Sequence, residues 1–467
     1  MKKFIKCATV IPFVLGIVGF YMSGYNLKDA AFTSVLLYLF NYGDSAPNIL
    51  VEIARWLAPL ATAGWVLTAF SKINTLLHNI KTNLKNSDSV AVYGDNDDAD
   101  YIRELYKKTL IKHDGNQFVK ADRYVLYGTD EENLLFYSRH KEELSKYPVC
   151  LRTTAFNTQD LIGDRIIAFN PSQIAASLFW KENDFYAISK ERNHNFAICI
   201  IGFGDLGKEL LVQGLQNNIF SPNQKIEYHI FGEDLSFKNI YHQINKIEDT
   251  IEFHSNWADS IELLSNSIVI VAPQDNQYEL VHDVLLATTN KNIFVISQIN
   301  DSFEFLDEKD RLTVFDLDSK IITEENLFND NLIHLAKKIN LRYASIYNRI
   351  EETDENLNLE WKKLNAFTKC SNISAADYHL IRQKMLIEWN VSSFEQLSNE
   401  QLELLSELEH IRWCRYHYLS NWKLGTPENG KNKDFEKRVH TDLVPYNTLS
   451  EEDKEKDREN IRILLSL

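Results

Sequence analysis

Two stretches near the start of the chain carry no charge. Residues 7–26, CATVIPFVLGIVGFYMSGYN, have no charged side chain for about twenty positions, long enough for a helix to cross a bilayer. Residues 56–71, WLAPLATAGWVLTAFS, are also uncharged and follow NILVEIAR, so a second span over 49–70 begins with Glu52 and Arg55 near one interface. Lys2 and Lys3 before the first stretch also fit a signal peptide, although no small-x-small cleavage site directly follows. Lys2, Lys3 and Lys6 precede the first span and Lys72, Lys81 and Lys85 follow the second, whereas the intervening loop holds only Lys28. The positive-inside rule therefore puts both termini in the cytoplasm and makes the protein multi-pass.

The pattern then changes period. After a polar linker at 72–89, short β-branched runs (SVAVYG, RYVLYG, VCLRT, RIIAFN) alternate with helical segments, which predicts a parallel α/β sheet. A second set starts with NFAICIIGFGDLGKELLVQGLQ, where a buried-strand pattern runs into Gly202, Gly204 and Gly207 and then an amphipathic helix. This is G-x-G-x-x-G between strand and helix: Gly202 for the tight turn, Gly204 for close approach of a pyrophosphate, Gly207 for helix–strand packing. Asp205 and Leu206 would open the helix, whose N-terminus favours an anion. Glu233 and Asp234, at the end of KIEYHIFGED, are the acidic candidates for a ribose hydroxyl. The same glycines also serve a sheet that binds nothing, so packing and binding remain alternatives. Further strands at TIEFHS, SIVIVAP, NIFVIS and RLTVFD complete a doubly wound sheet near 318, and helical spacing takes over from 324.

Composition narrows the classes. At 467 residues the chain holds about three units, and 44% hydrophobic content supports true cores. A formal charge of −16 without a dense basic run argues against nucleic acid as a partner. The five cysteines are scattered, with no C-x-x-C or Cys/His cluster, so neither a disulfide framework nor a structural zinc site is expected. No paired acid and base stands in a substrate-positioning context, so the chain is not read as an enzyme; a nicotinamide-dependent oxidoreductase would rest on the glycines alone.

The tail, LSELEHIRWCRYHYLSNWKLG followed by KRVHTDLVPYNTLSEEDKEKDRENIR, resembles the RyR domain, the repeat first named from ryanodine receptors. Its aromatic and cationic residues His410, Arg412, Trp413, Arg415, Trp422, His440 and Tyr446 suit a nucleobase bearing phosphate, or else form the core of a small domain. Ser450 with Asp453 reads as a helix N-cap. The middle of the chain is similar to the TrkA-N or RCK nucleotide-binding module, in tandem, with only the second copy keeping its glycines. The start resembles a two-helix potassium-channel pore, with a pore helix at about 30–39 followed by Leu39, Phe40, Asn41, Tyr42, Gly43 and Asp44 in the place of the filter T-V-G-Y-G-D. Tyr42, Gly43 and Asp44 match; Leu39, Phe40 and Asn41 replace Thr, Val and Gly. Gly64, about a turn after Pro59, stands where such inner helices bend, and a lipid-facing kink is the alternative.

These resemblances imply a membrane α-helical hairpin with a pore loop (1–71), a degenerate Rossmann-like domain (89–192), a second nucleotide-binding Rossmann-like domain (193–322), a helical linker (323–402) and a small, mainly helical RyR domain (403–467). They imply a ligand-gated, cation-channel-like homotetramer in the bacterial inner membrane, passing a monovalent cation. A bound NAD, adenine nucleotide or nucleotide-derived messenger would control it, in the manner of an antiviral effector. The alternative is a membrane-anchored nucleotide sensor that does not conduct.

Overall fold

The computed structural model describes residues 2–85, 88–113, 115–154, 166–232, 236–297, 303, 306, 310–328, 331–428 and 430–466. They form two compact units, one of 1–91 with 106–122 and one of 92–105 with 123–467.

The first unit is led by three helices, α1 (Lys2–Met22), α2 (Leu27–Tyr38) and α3 (Ile49–Lys85). At about 1.5 Å per residue α2 spans only ~18 Å, too little to cross a bilayer, whereas α3 reaches ~55 Å. Among the described residues one helix, α3, is long and apolar enough to span a membrane; the apolar part of α1, Val10–Met22, is shorter. Small residues let the helices meet closely: a methyl on Gly16 would lie 2.6 Å from Ser34 Oγ, and one on Gly19 2.7 Å from Val51. Ala30, Leu37, Val51, Ala54 and Ala58 close the seam around Phe20.

Polar side chains fix the turns. Asn26 caps α2 by accepting from the Asp29 amide. Asn48 accepts from the amides of Leu50 and Val51 at the start of α3 and donates to Gly19 O (2.6 Å) at the end of α1. The Thr62 hydroxyl donates to Tyr38 O (2.9 Å), taking up a carbonyl at the C-terminus of α2. The far end of α3 holds the segment at 106–122: His78 Nε2 donates to Leu110 O (3.0 Å), and Asn79 exchanges two bonds with Lys112. Outward from the seam, Phe32, Trp56, Leu60, Leu67 and Phe70 are each more than half exposed.

The second unit carries two parallel sheets. Strand β1 (Val90–Tyr93) falls on the boundary between the units, and in the second β2 (Arg123–Leu126), β3 (Val149–Arg152) and β4 (Ile166–Phe169) lie in sequential order and parallel. Among the described strands the order does not reverse, so they form no switch-point crevice of the kind that holds dinucleotides. Strands β5 (Asn195–Ile201), β6 (Lys225–Phe231), β7 (Thr250–His254), β8 (Ile268–Val271), β9 (Ile293–Ser297) and β10 (Leu312–Asp316) form an all-parallel sheet ordered 10-9-8-5-6-7. That is the Rossmann order, reversing between β5 and β8. Its central strands read as unbroken apolar runs because helices cover both faces.

Helices α4 (Pro171–Glu182) and α5 (Asp205–Asn217) lie against this sheet, and α6 (Asn331–Asn348), α7 (Ala366–Glu388), α8 (Asn399–Leu419) and α9 (Glu451–Leu465) pack on those two and on one another. Leu210, Leu211 and Leu215 of α5 are fully buried, each worth about 1.5–3 kcal/mol. Gly214 on the same helix makes room for Trp180, whose indole N–H donates to Leu210 O (3.1 Å). Asp377 of α7, almost fully buried, accepts from Ser177 and Asn217 and pairs with Lys181 at 2.6 Å. A buried carboxylate so satisfied fixes α7 against α4 and α5, since removing one partner would strand the charge.

Candidate ligand site

The glycine turn has the geometry that its spacing predicts. Gly202 has φ +96°, in the left-handed region, and a methyl on Gly207 would lie 2.1 Å from Gly202 O. Around Gly204, by contrast, a Cβ meets nothing within 4 Å, and Gly204 is the N-cap of α5 with no side-chain partner for the helix amides. Asp205 occupies the first turn of that helix and Leu206 is buried behind it. Next to the turn, Phe203 is buried against Phe237 and Phe253. Glu233 and Asp234 lie outside the described residues.

Most of the cationic residues singled out near the C-terminus turn out to be held within the protein. Arg412 donates through Nε and Nη2 to Glu409 Oε1 (3.0 and 2.7 Å), while Arg382 of α7 donates to Glu409 Oε2 (2.6 Å). All three are at least 99% buried. Burial alone would raise the Glu409 carboxyl, but Arg412 and Arg382 outweigh it and hold the group below its usual range. Arg415 donates to Asp249 Oδ2 (2.7 Å) and Leu215 O (3.0 Å), joining α8 to α5 and the start of β7.

His410 faces an acceptor on each side: Nε2 donates to Val444 O (2.8 Å) and Nδ1 lies 3.2 Å from Asp457 Oδ2. A carbonyl cannot donate, so this arrangement favours the imidazolium. Burial opposes the charge, but the bond to Asp457 prevails and raises the histidine.

Trp413 sits among imidazoles, with ring centroids 4.0 Å from His417, 4.8 Å from His440 and 5.7 Å from His410. Burial lowers His417 to about 3 and His440 to about 4, so both are neutral at pH 7. Tyr446 donates to Glu403 Oε2 (3.1 Å). Of the seven residues expected to hold a ligand here, Trp422 alone lines either of the cavities described next.

The cavity that Trp422 lines has a volume of about 390 Å³ and lies between α5, the segment after β6, the start of α7 and the hairpin after α8. That volume is within the ordinary range for small-molecule pockets. Tyr241, Phe367, Tyr416, Trp422 and Phe435 supply aromatic walls, with Phe367 and Trp422 4.8 Å apart at 30°. Asn421 donates to Ile240 O (2.7 Å), leaving its buried Oδ1 without a hydrogen bond, and the exposed Arg438 stands at the rim. Both Asn421 (φ 62°) and Arg438 (φ 49°) have left-handed backbones, which non-glycine residues adopt at some energetic cost.

A second cavity of about 330 Å³ shares Gln216 and Tyr416 with the first and is lined by Ser177, Lys181, Gln213, Ser374 and Asp377 among others. A bonded chain connects the buried ion triad to the shared wall: Arg412 Nη1 donates to Ser374 Oγ (3.2 Å), which donates to Gln216 Oε1 (2.9 Å).

The fold of the C-terminal segment now has its counterpart. Residues 387–467 match the RyR domain family model. The match begins upstream of the 403 expected and includes the Ser398–Gln401 capping box that opens α8. Within this RyR domain, Ser450 caps α9 through the Asp453 amide, as its spacing predicts. Between the two helices lie β11 (Lys423–Leu424), β12 (Lys433–Asp434) and β13 (Val439–His440), ordered 11-13-12. Neither a potassium-channel nor a TrkA-N family model matches the chain, and no curated protein does. What the middle of the chain shares with TrkA-N modules is the Rossmann-like parallel sheet.

Sequence reasoning named Trp422 but missed Phe367, Tyr241, Phe435, Asn421 and Arg438. They come from separate elements with no common spacing, and only the fold brings them together.

Proposed function

We propose that the chain is a ligand-gated, cation-channel-like membrane protein, whose Rossmann-like and RyR modules sense a nucleotide and bias a two-helix pore. The observation that carries this reading is the hairpin: a helix too short to span, α2, packed between two apolar helices and followed by Leu39–Asp44. Its outward rows of exposed Phe, Trp and Leu suit lipid or neighbouring copies of the chain. A pore needs several hairpins around one axis, which favours a homotetramer. The filter would offer backbone carbonyls to a monovalent cation, with the negative end of α2 directed toward it.

On this reading the ligand is planar and anionic, stacked on Trp422 and Phe367, with a donor facing Asn421 Oδ1 and its charge facing Arg438. A nucleotide or a nucleotide-derived messenger has that chemistry, and an antiviral effector in the bacterial inner membrane is a setting that fits. The ligand gates only by the difference between its affinities for closed and open states.

The test is cation flux into liposomes holding the full chain, across a nucleotide panel at several concentrations and voltages. Flux that depends on ligand and is lost in Trp422→Ala supports the proposal; no flux under any condition refutes conduction. The non-conducting anchored sensor is favoured by one observation: the left-handed residue is Phe40 (φ 59°), and both Leu39 and Phe40 expose bulky side chains where a filter needs small ones. Restoring Thr, Val and Gly at positions 39, 40 and 41 separates the two readings, since flux that appears only then belongs to the sensor.

A further inference from the structure

We infer that the chain binds a divalent first-row cation of the zinc type on the outer edge of its Rossmann-like sheet, through His229, Glu252 and His254. His229 lies on β6, and Glu252 and His254 on the edge strand β7. The parallel register pairs His229 with Glu252 and Phe231 with His254, so alternating positions bring the three side chains to one face. His229 Nδ1 and His254 Nε2 are 2.9 Å apart, and Glu252 Oε2 is 3.5 and 3.8 Å from them. Tetrahedral zinc with ligands at about 2.0–2.2 Å separates its donor atoms by roughly 3.3–3.5 Å, so the triangle already has nearly the size of a coordination face.

Two further features suit a metal. The second nitrogen of His229, Nε2, is buried without a hydrogen bond, and Glu227 Oε2 stands 3.6 Å away. A carboxylate behind a ligating histidine fixes the ring and its tautomer, the usual support for a zinc ligand. With Nδ1 on the metal, Nε2 keeps its proton and faces that carboxylate. Without a metal, two imidazole nitrogens at 2.9 Å can share only one proton between them. His254 and Glu252 are partly exposed, 27% and 55% at the side chain, which leaves an entry path and a fourth position for water. Two strands contribute ligands, so the bound cation would clamp β7, which has a neighbour on one side only, to β6.

The proposal concerns a site apart from the aromatic cavity and does not depend on the channel reading. Its test uses the full chain, free of affinity tags, in detergent at pH 7.5. Titration with Co²⁺ alone should give about one equivalent bound per chain, with visible d–d bands of tetrahedral intensity. Zn²⁺ should displace it and raise Tm. His254→Ala and Glu252→Gln, both at partly exposed positions and expected to fold, should each weaken Co²⁺ binding at least tenfold and abolish the Zn²⁺-dependent rise in Tm. His282→Asn, at an exposed histidine outside the cluster, should leave both unchanged. Absence of stoichiometric Co²⁺ binding by the unaltered protein, or equal binding by the His254→Ala and Glu252→Gln variants, overturns the proposal.

Discussion

Replacing Glu409 by Gln tests whether the buried triad holds the RyR domain to α7. The carboxylate takes three hydrogen bonds from two guanidiniums and is fully buried. A carboxamide keeps the shape and one acceptor, but its NH₂ then meets a guanidinium donor, and two buried cations lose their only shared counter-charge. Breaking a buried pair in this way costs about 3–5 kcal/mol. How far Tm falls depends on what unfolds together. At about 2.1 cal/mol/K per residue, an independent unit of ~80 residues would drop by ~18–30 °C, and one of ~360 residues by ~4–7 °C.

Arg415 bonds α8 to Asp249 and Leu215, and Arg382 bonds α7 to Glu409, so the second unit should unfold as a whole and the smaller shift is expected. The assay is near-UV circular dichroism against temperature at pH 7, which reads the buried tryptophans. Removing every charge together, with Arg382→Met, Glu409→Leu and Arg412→Met, should recover most of the loss, because an apolar replacement of a buried ion group is often neutral. The sign with pH follows from the depressed carboxyl: its stabilisation is full above the unfolded value near 4.3 and is lost as pH falls through the folded one. The advantage over Glu409→Gln should therefore vanish in strong acid. A Glu409→Gln protein melting within 1 °C of the parent at pH 7, or a triple variant worse than the single one, would refute the charge argument.

Four further outcomes are expected. Gly207→Ala forces a methyl to 2.1 Å from Gly202 O and should cost several kcal/mol, whereas Gly204→Ala, in open space, should leave Tm unchanged within about 1 °C; if the turn binds a nucleotide, calorimetry should show that Gly204→Ala also loses it. His410 is raised in the folded state, so its contribution is complete below pH ~6.5 and declines as pH rises above it; His410→Gln should flatten the fall of Tm over that range. Glu209, pushed up to about 7 chiefly by burial and also by Asp205, should destabilise the fold as pH rises from about 4.3 to 7, so Glu209→Gln should raise Tm more at pH 8 than at pH 5, by about 1–3 kcal/mol in stability terms. Trp422→Ala should lower affinity for a stacking nucleotide about 5- to 150-fold in a thermal-shift titration, the loss of one base–aromatic stack of about 1–3 kcal/mol.

The parallel sheets were legible because buried strands and amphipathic helices have different periods, and the glycine turn was legible because its three glycines each answer a steric demand in sequence order. The RyR segment was legible in its motifs, and its caps at Ser450 followed from local hydrogen bonding. What could not be read was the use made of each polar side chain. Arg412 and Arg415 look like ligand donors by type, yet Arg412 is held by Glu409 one turn back on its own helix, and the groups that complete the arrangement, Arg382 on the same Glu409 and Asp249 on Arg415, lie far off in sequence on other elements. The His229–Glu252–His254 triangle was invisible for the same reason: its spacing is set by strand register, not by distance along the chain.

This division between frame and site has a consequence for sensing. The helical face of the RyR domain, with Glu409, Arg412 and Arg415, is bonded into α7, α5 and the sheet and has little freedom to answer a ligand. The residues still able to receive one, Asn421, Trp422, Phe435 and Arg438, belong to the hairpin after α8, two of them on left-handed backbone. Opposite them stand Val212 and Gln216 of α5, the helix that begins at the glycine turn. On the proposed reading a ligand in the cavity would touch a hairpin on one side and the Rossmann-like sheet's first helix on the other, and Gln216, bonded to Ser374 and through it to Arg412, would carry the contact on to the triad. Coupling between a nucleotide and the rest of the chain would then run through the position of the hairpin relative to α5. It follows that Gln216→Ala, which lies outside the aromatic stack, should alter the response to ligand more than it alters binding.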